Sequence, residues 1–484
     1  MVAISVASES RSLMPVSRRT FLKSASGAAV VALNGNLLAQ ATSPTAGIAY
    51  TGEHVRQVID GFGFSEAFQQ AGVLRVLSDA DQKSLLNLMF SAGGGMGYSI
   101  LRNQIGDSAK PQPNTGDIQA IEPAKGEFIF TGDENQIWLM NEAKARGCTR
   151  FLSSCWSPPA WMKTNGKVHD GALKKECYQD FADMLATYVA EYKKRFNLDI
   201  YAISPTNEPN FVPTLDYASC KWTAEELSKF LRENLFPALK AKGVAPEVVI
   251  DEHEHWSDEY INVILDDPGN SKAIHIVAAH AYAPDSGPYV SISARTGTFA
   301  KALGQGKRVW ETEVSVGTGP QILNMNDGVY WARVIHSHMV ENNVSAWLYW
   351  WGGSNSNSRS SLIWIDIPNK KYQLSKRFFT IGHFSRFIRP GYHRVDATPT
   401  PAPNTYFSAY LSPDSKRLVC VAINDDSVER PLSIQPGGFP ATSCIAVRTS
   451  NTETHAKLPP IQLVNGAASV VTAPLSVTTY IFTA

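Results

Sequence analysis

The run Ile200-Tyr201-Ala202-Ile203-Ser204-Pro205-Thr206-Asn207-Glu208-Pro209 begins apolar and ends on an amide, a carboxylate and prolines. Its first half, 200–204, reads as a short buried strand, and Pro205 and Pro209 stiffen the turn after it. On either side the period changes to that of a helix. Residues 177–196 place Phe181, Met184, Leu185 and Tyr188 on one face, and 223–242 continue in the same way. Further strands are predicted at 58–63, 98–102, 150–155, 248–251, 274–280, 308–311 and 346–350. Helices are predicted at 79–90, with Ser78 as N-cap, and at 329–341. Eight such units in order predict a (β/α)8 TIM barrel over 57–387, with an open doubly wound sheet as the alternative. No glycine-rich phosphate loop follows a strand, and Gly93-Gly94-Gly95-Met96-Gly97 leads into a strand as a turn.

After Pro390-Gly391 the texture changes, and Pro399, Pro401 and Pro403 mark a connecting loop. Short alternating segments succeed it at 405–411, 417–424, 431–435, 444–449, 468–472 and 476–483, between Asp/Asn/Gly/Pro turns. This pattern predicts an antiparallel β-sandwich over 388–484, joined by a strand from 48–56.

Lys+Arg and Asp+Glu both number 44 in the 484 residues, so the chain is neutral. It has no cationic excess with which to hold a phosphate backbone, which argues against nucleic acid as a partner. With 18% charged residues, 11 Trp and 17 Tyr, the composition suits a neutral, hydroxyl-rich ligand. The N-terminus carries Ser17-Arg18-Arg19-Thr20-Phe21-Leu22-Lys23, a weakly apolar stretch, and Ala39-Gln40-Ala41. We read 1–41 as a twin-arginine signal peptide, which predicts a periplasmic or extracellular protein not embedded in a membrane after cleavage. The six cysteines form no C-x-x-C pair, and the fold is expected not to depend on disulfides.

Barrel active sites lie at the C-terminal ends of the strands. Here the fourth strand ends in Asn207-Glu208-Pro209 and the seventh in Trp310-Glu311-Thr312-Glu313. Two carboxylates from separate strands, meeting across a sugar, form the machinery of glycoside hydrolysis. A separation of about 5–5.5 Å gives retention and about 6.5–9.5 Å gives inversion. In Asp251-Glu252-His253-Glu254-His255, an extended chain would place Asp251, His253 and His255 on one face, as a metal set or a sugar subsite.

These motifs resemble glycoside hydrolase family 30. The resemblance begins at Ile59-Asp60-Gly61-Phe62-Gly63-Phe64-Ser65-Glu66-Ala67-Phe68 and continues through Trp156-Ser157-Pro158-Pro159-Ala160-Trp161-Met162-Lys163-Thr164-Asn165. It includes Asn207-Glu208-Pro209, His280-Ala281-Tyr282, Trp310-Glu311-Thr312-Glu313-Val314 and Phe387-Ile388-Arg389-Pro390-Gly391-Tyr392. It implies a retaining mechanism with Glu208 as acid/base and Glu313, not Glu311, as nucleophile, and it implies no metal or cofactor. Asn207 would hydrogen-bond the 2-hydroxyl of the reacting sugar, and Tyr282 would lie near the nucleophile. Trp156, Trp161, Trp350 and Trp351 would stack on pyranose faces. Arg102 would hold Glu208 ionised or pair with Glu66. His280 would line the sugar site or hold a loop from the core. From its place at the end of the fifth strand His253 is expected to line a subsite, and Glu311, on the same face as Glu313 by strand alternation, is expected to be buried behind the site or outside the chemistry.

The opening motif and Trp161-Met162-Lys163-Thr164-Asn165 look most like the branches of the family that act on β-1,4-xylan, including glucuronoxylan and xylo-oligosaccharides. One branch reads a glucuronate with arginines directly after strand eight. Here that position is Trp350-Trp351-Gly352-Gly353-Ser354-Asn355-Ser356-Asn357, with Arg359 only later. A β-1,6-galactanase or β-1,6-glucanase is the alternative, and a non-catalytic carbohydrate-binding protein a further one. The expected partner is a polysaccharide or oligosaccharide, and the chain is expected to be a monomer.

Overall fold

The computed structural model describes residues 44–48, 54–111, 116–211, 213, 217–282, 297–316 and 319–484. The expected export signal and residues 49–53 lie outside the described residues. Eight parallel strands form a closed barrel: β1 (Gly61–Ser65), β2 (Ile100–Ile105), β3 (Arg150–Cys155), β4 (Ala202–Ser204), β5 (Glu247–His255), β6 (Ile276–Tyr282), β7 (Arg308–Glu311) and β8 (Val344–Ser354). β8 pairs with both β1 and β7, and that double pairing closes the ring. Gly63 permits the tight β1–β2 approach, since a Cβ there would meet the Ile100 carbonyl oxygen at 2.0 Å.

Strand alternation builds the interior in layers. Ile100, Leu152, Ala202, Val249, Ile276, Ala278, Trp310, Ala346 and Leu348 form the apolar plug of the barrel. Two residues beyond Ile100, Leu152, Ala202, Ala278 and Leu348, the inward positions become Arg102, Ser154, Ser204, His280 and Trp350. The chemistry therefore sits one layer above the apolar plug. Asp60, just before β1, accepts from the Trp310 indole at 2.8 Å and pairs with Arg308 at 2.9 Å and Arg150 at 3.1 Å.

All four predicted helices are present, the last as Met325–Glu341. Asp79–Phe90 is capped by Ser78, whose side chain accepts from the Asp81 N–H. Tyr178–Phe196 presents the expected apolar face. The helix from Ala224 to Lys242 contains one π turn, Leu231–Leu235. Pro237, which has no N–H to give the preceding turn, stands two residues after its end.

Ser361–Asp366 and Lys371–Leu374 extend the barrel sheet from β8, and the other strands make a two-sheet sandwich. Thr405–Leu411, Arg417–Asn424, Ser476–Thr483 and Ser443–Thr449 lie in a seven-stranded sheet, which Val55–Val58 joins through His393–Val395. Thr45–Gly47 pairs parallel with Arg430–Gln435 in the facing four-stranded sheet. Phe407, Leu418, Cys420, Leu432, Ile434 and Phe482 pack between the two sheets. On the other face, Val419, Val421, Ile423 and Val477 join the large core around the barrel. All six cysteines are buried and unbonded. Among the described residues no helix is long and apolar enough to cross a membrane.

Candidate active site

Asn207 and Glu208 leave the end of β4, and Glu208 adopts a left-handed backbone with φ of 50°. This turn aims its carboxyl at the barrel axis, with its N–H bound to the Glu252 carbonyl at 2.9 Å. Tyr217 donates to Glu208 Oε2 at 3.1 Å, and His280 Nδ1 lies 3.1 Å from Oε1. Glu313 lies just past β7. Its N–H donates to Glu311 Oε1 at 3.0 Å, and Glu311 Oε2 accepts from the Leu348 N–H at 3.2 Å. Glu311 thus holds backbone and takes no place in the cavity. Because β7 ends at Glu311, strand alternation does not extend to Glu313.

Arg102 sits between the two strand ends with no exposed surface. It donates to Glu313 Oε2 at 2.5 Å and to Asn207 Oδ1 at 2.7 Å, and pairs with Glu252 at 3.0 Å. It makes no such contact with Glu66 or with the Glu208 carboxylate; its direct partners are Glu313, Asn207 and Glu252, and its charge reaches Glu208 only at a distance, where it still favours the ionised form. Tyr282 donates to Glu313 Oε1 at 3.1 Å. One ligand-type atom each from Glu208, His280 and Glu313 lies within 4.8 Å of the others. The two carboxyls therefore bring one oxygen each to within 4.8 Å, across a gap that a sugar carbon could bridge.

Electrostatics separates the pair. Burial, then the charge of Glu254, pushes the Glu208 carboxyl up to about 7. Burial also raises Glu313, but His280 and Arg102 oppose it, and Arg102 makes direct contact. The guanidinium contact favours the charged form of Glu313, whereas burial and the charge of Glu254 favour the protonated form of Glu208. Burial lowers His280, and the charge of Glu313 pulls the other way.

A cavity of about 1130 Å³ opens over the pair, lined by Phe68, Trp156, Tyr217, Glu254, Trp350, Trp351 and Asn355 among others. Trp350 and Trp351 stack at 4.9 Å and 23°. Trp156 also lines the cavity, but the Arg102 guanidinium lies 4.4 Å from its ring centre and takes up one face. Trp161 is not part of this lining, and its indole donates to the Glu122 carbonyl at 2.9 Å. His253 is buried in the wall against His255 and Tyr260, outside the lining.

Asp251, His253 and His255 do neighbour one another, with His253 Nδ1 3.5 Å from Asp251 Oδ1 and its ring 4.7 Å from that of His255, but none of them lines the cavity. Asp251 and Glu252 are both left-handed, with φ of 78° and 52°, and the β5–β6 register shifts there. This bulge breaks the alternation and brings Glu252 to Arg102. Glu252, Glu254, Tyr217 and Phe68 carry parts of the site that motif reading did not single out. Glu252 and Glu254 lay within a run already noted, and only the bulge decided which of its side chains face the site.

A closed barrel with a β-sandwich, and two buried acids at the ends of β4 and β7, define a glycoside hydrolase. The description "O-Glycosyl hydrolase family 30" matches residues 46–364, and the chain belongs to that family. It is 29% identical over 322 residues to glucuronoxylanase XynC of Bacillus subtilis, covering 63% of this chain and 69% of that protein. It is 26% identical over 407 residues to lysosomal acid glucosylceramidase of Mus musculus, covering 78% and 77%. Its fold matches the catalytic domain of xylanase C from Talaromyces cellulolyticus with a TM-score of 0.77 and 26% identity, covering 91% of this chain and 100% of that one.

Proposed function

We propose that the protein is an exported β-1,4-xylanase that retains anomeric configuration through double displacement. The observation that carries this reading is the approach of Glu208 and Glu313, with atoms of both inside one 4.8 Å cluster. Glu313 attacks the anomeric carbon as Glu208 protonates the departing oxygen, leaving a glycosyl ester on Glu313. Glu208, now ionised, takes a proton from water as that water attacks the same carbon, which restores both groups. Because Arg102 occupies Asn207 Oδ1, the Asn207 amide N–H groups are directed to a sugar hydroxyl. Arg102 and Tyr282 fix the orientation of the nucleophile, and the stacked pair Trp350 and Trp351 offers a surface for a pyranose face.

The xylan assignment is supported by the names of two relatives, the glucuronoxylanase and the xylanase C domain. A substrate panel tests it. Reducing sugar is expected from xylan and linear xylo-oligosaccharides. Release only from a β-1,6-galactan or β-1,6-glucan would reject xylan and leave the two-glutamate mechanism standing.

A further inference from the structure

The described lining of the cavity contains four acids, Asp117, Glu208, Glu254 and Glu313, and no lysine, arginine or histidine. Arg102, which contacts Glu313, is buried and already committed to Glu313 and Glu252. His280 is buried between the two catalytic acids. Arg359, the first cation after β8, is not part of the lining. A Cβ on Gly319 would stand 3.4 Å from its guanidinium, and its backbone carbonyl accepts from the Tyr349 hydroxyl. Glu254 is held in place: its N–H donates to Asn210 Oδ1 at 3.0 Å, and its Oε2 lies 2.9 Å from His255 Nδ1. Asp117 is fixed through its backbone carbonyl, which accepts from the Gln69 amide at 2.9 Å.

A walled cleft lined by one sign of charge focuses that field on any group that enters it. Among the described lining residues, a carboxylate on the substrate would meet acids and no lysine, arginine or histidine, the His255 beside Glu254 lying outside the lining. We propose that Glu254 and Asp117 make this cleft discriminate against uronate-bearing chains, so that the enzyme cuts neutral stretches of its polysaccharide. This rests on the reading of the site as a glycosidase cleft and specifies its substrate class. It also sets the chain apart from a relative named for glucuronoxylan.

The test compares kcat/KM for a linear xylo-oligosaccharide and for the same oligosaccharide bearing one glucuronosyl branch. At low ionic strength the neutral form is expected to win by roughly tenfold or more, and high salt is expected to compress that ratio. In Glu254→Gln combined with Asp117→Asn the ratio should fall by roughly threefold or more. The ratio is the readout because Glu254→Gln also alters Glu208, and that effect is common to both substrates. Salt dependence in the unaltered protein supplies the measurement should the double variant not fold. Equal or better turnover of the branched form, or a ratio indifferent to both salt and substitution, overturns the proposal. If neither xylo-oligosaccharide is cut, the xylan reading fails separately. The same comparison is then made on neutral and C6-oxidised forms of the polysaccharide that is cut.

Discussion

Glu208 and Glu313 differ by the groups that touch them. Glu313 receives a direct guanidinium contact, while Glu208 has Tyr217, His280 and the nearby charge of Glu254. In the proposed mechanism Glu208 enters the reaction protonated, and its carboxyl is raised to about 7. Activity should therefore hold below that value and fall as pH rises through it, visible as the alkaline limb of kcat/KM. Removing the Glu254 charge should move that limb to lower pH. A limb that stays in place in Glu254→Gln would show that burial alone raises the acid. Glu208→Gln should cost roughly 10²–10⁴-fold in turnover of substrates with poor leaving groups. Much less should be lost on activated aryl glycosides, whose leaving group needs no proton.

At the scale of elements, the β5 bulge and the β1–β2 contact position the site. Arg102→Met removes the cation shared by Glu313 and Glu252 and leaves two buried acids unpaired. A loss of about 3–5 kcal/mol is expected in denaturant unfolding, together with loss of activity. Gly63→Ala places a methyl against the Ile100 carbonyl and should destabilise by about 1–3 kcal/mol or more. Unchanged unfolding midpoints would contradict both. The eight strands were legible because apolar runs and amphipathic helices alternate at the two backbone periods. The acids at the ends of β4 and β7 were legible because each stands in a distinctive motif. The bulge was not legible: Asp251 and Glu252 are left-handed without glycine, so local sequence gives no sign of it. The partners of Arg102 depend on that unseen turn. Likewise Trp161 and His253 were of the residue types that bind sugars, yet their neighbours in space placed them outside the cavity.

Across the whole molecule, the sandwich is fastened to the barrel through a buried polar contact. His383, on the helix Lys376–Ser385, reaches Thr479 at 2.8 Å and Thr449 at 2.9 Å, and its ring lies 4.4 Å from that of His455. Burial pulls His455 down to about 4 and lowers His383 as well. An unfolded histidine takes up its proton near 6.5, whereas the folded ones resist. Their contribution is therefore intact above pH 6.5 and is lost as pH falls toward 4. Buried Asp107 and Asp133, both raised to about 7, slope the other way, so the comparison has to be between variants. His455→Phe should lose less Tm than the parent between pH 6.5 and 4 in calorimetry. An identical loss would remove His455 from the acid response. The central claim, that Glu313 attacks the sugar directly, is tested most directly by proton NMR of the first sugar released from a β-linked substrate. The account predicts that the β-anomer appears first and then mutarotates. An initial α-anomer would mean that water, not Glu313, makes the attack.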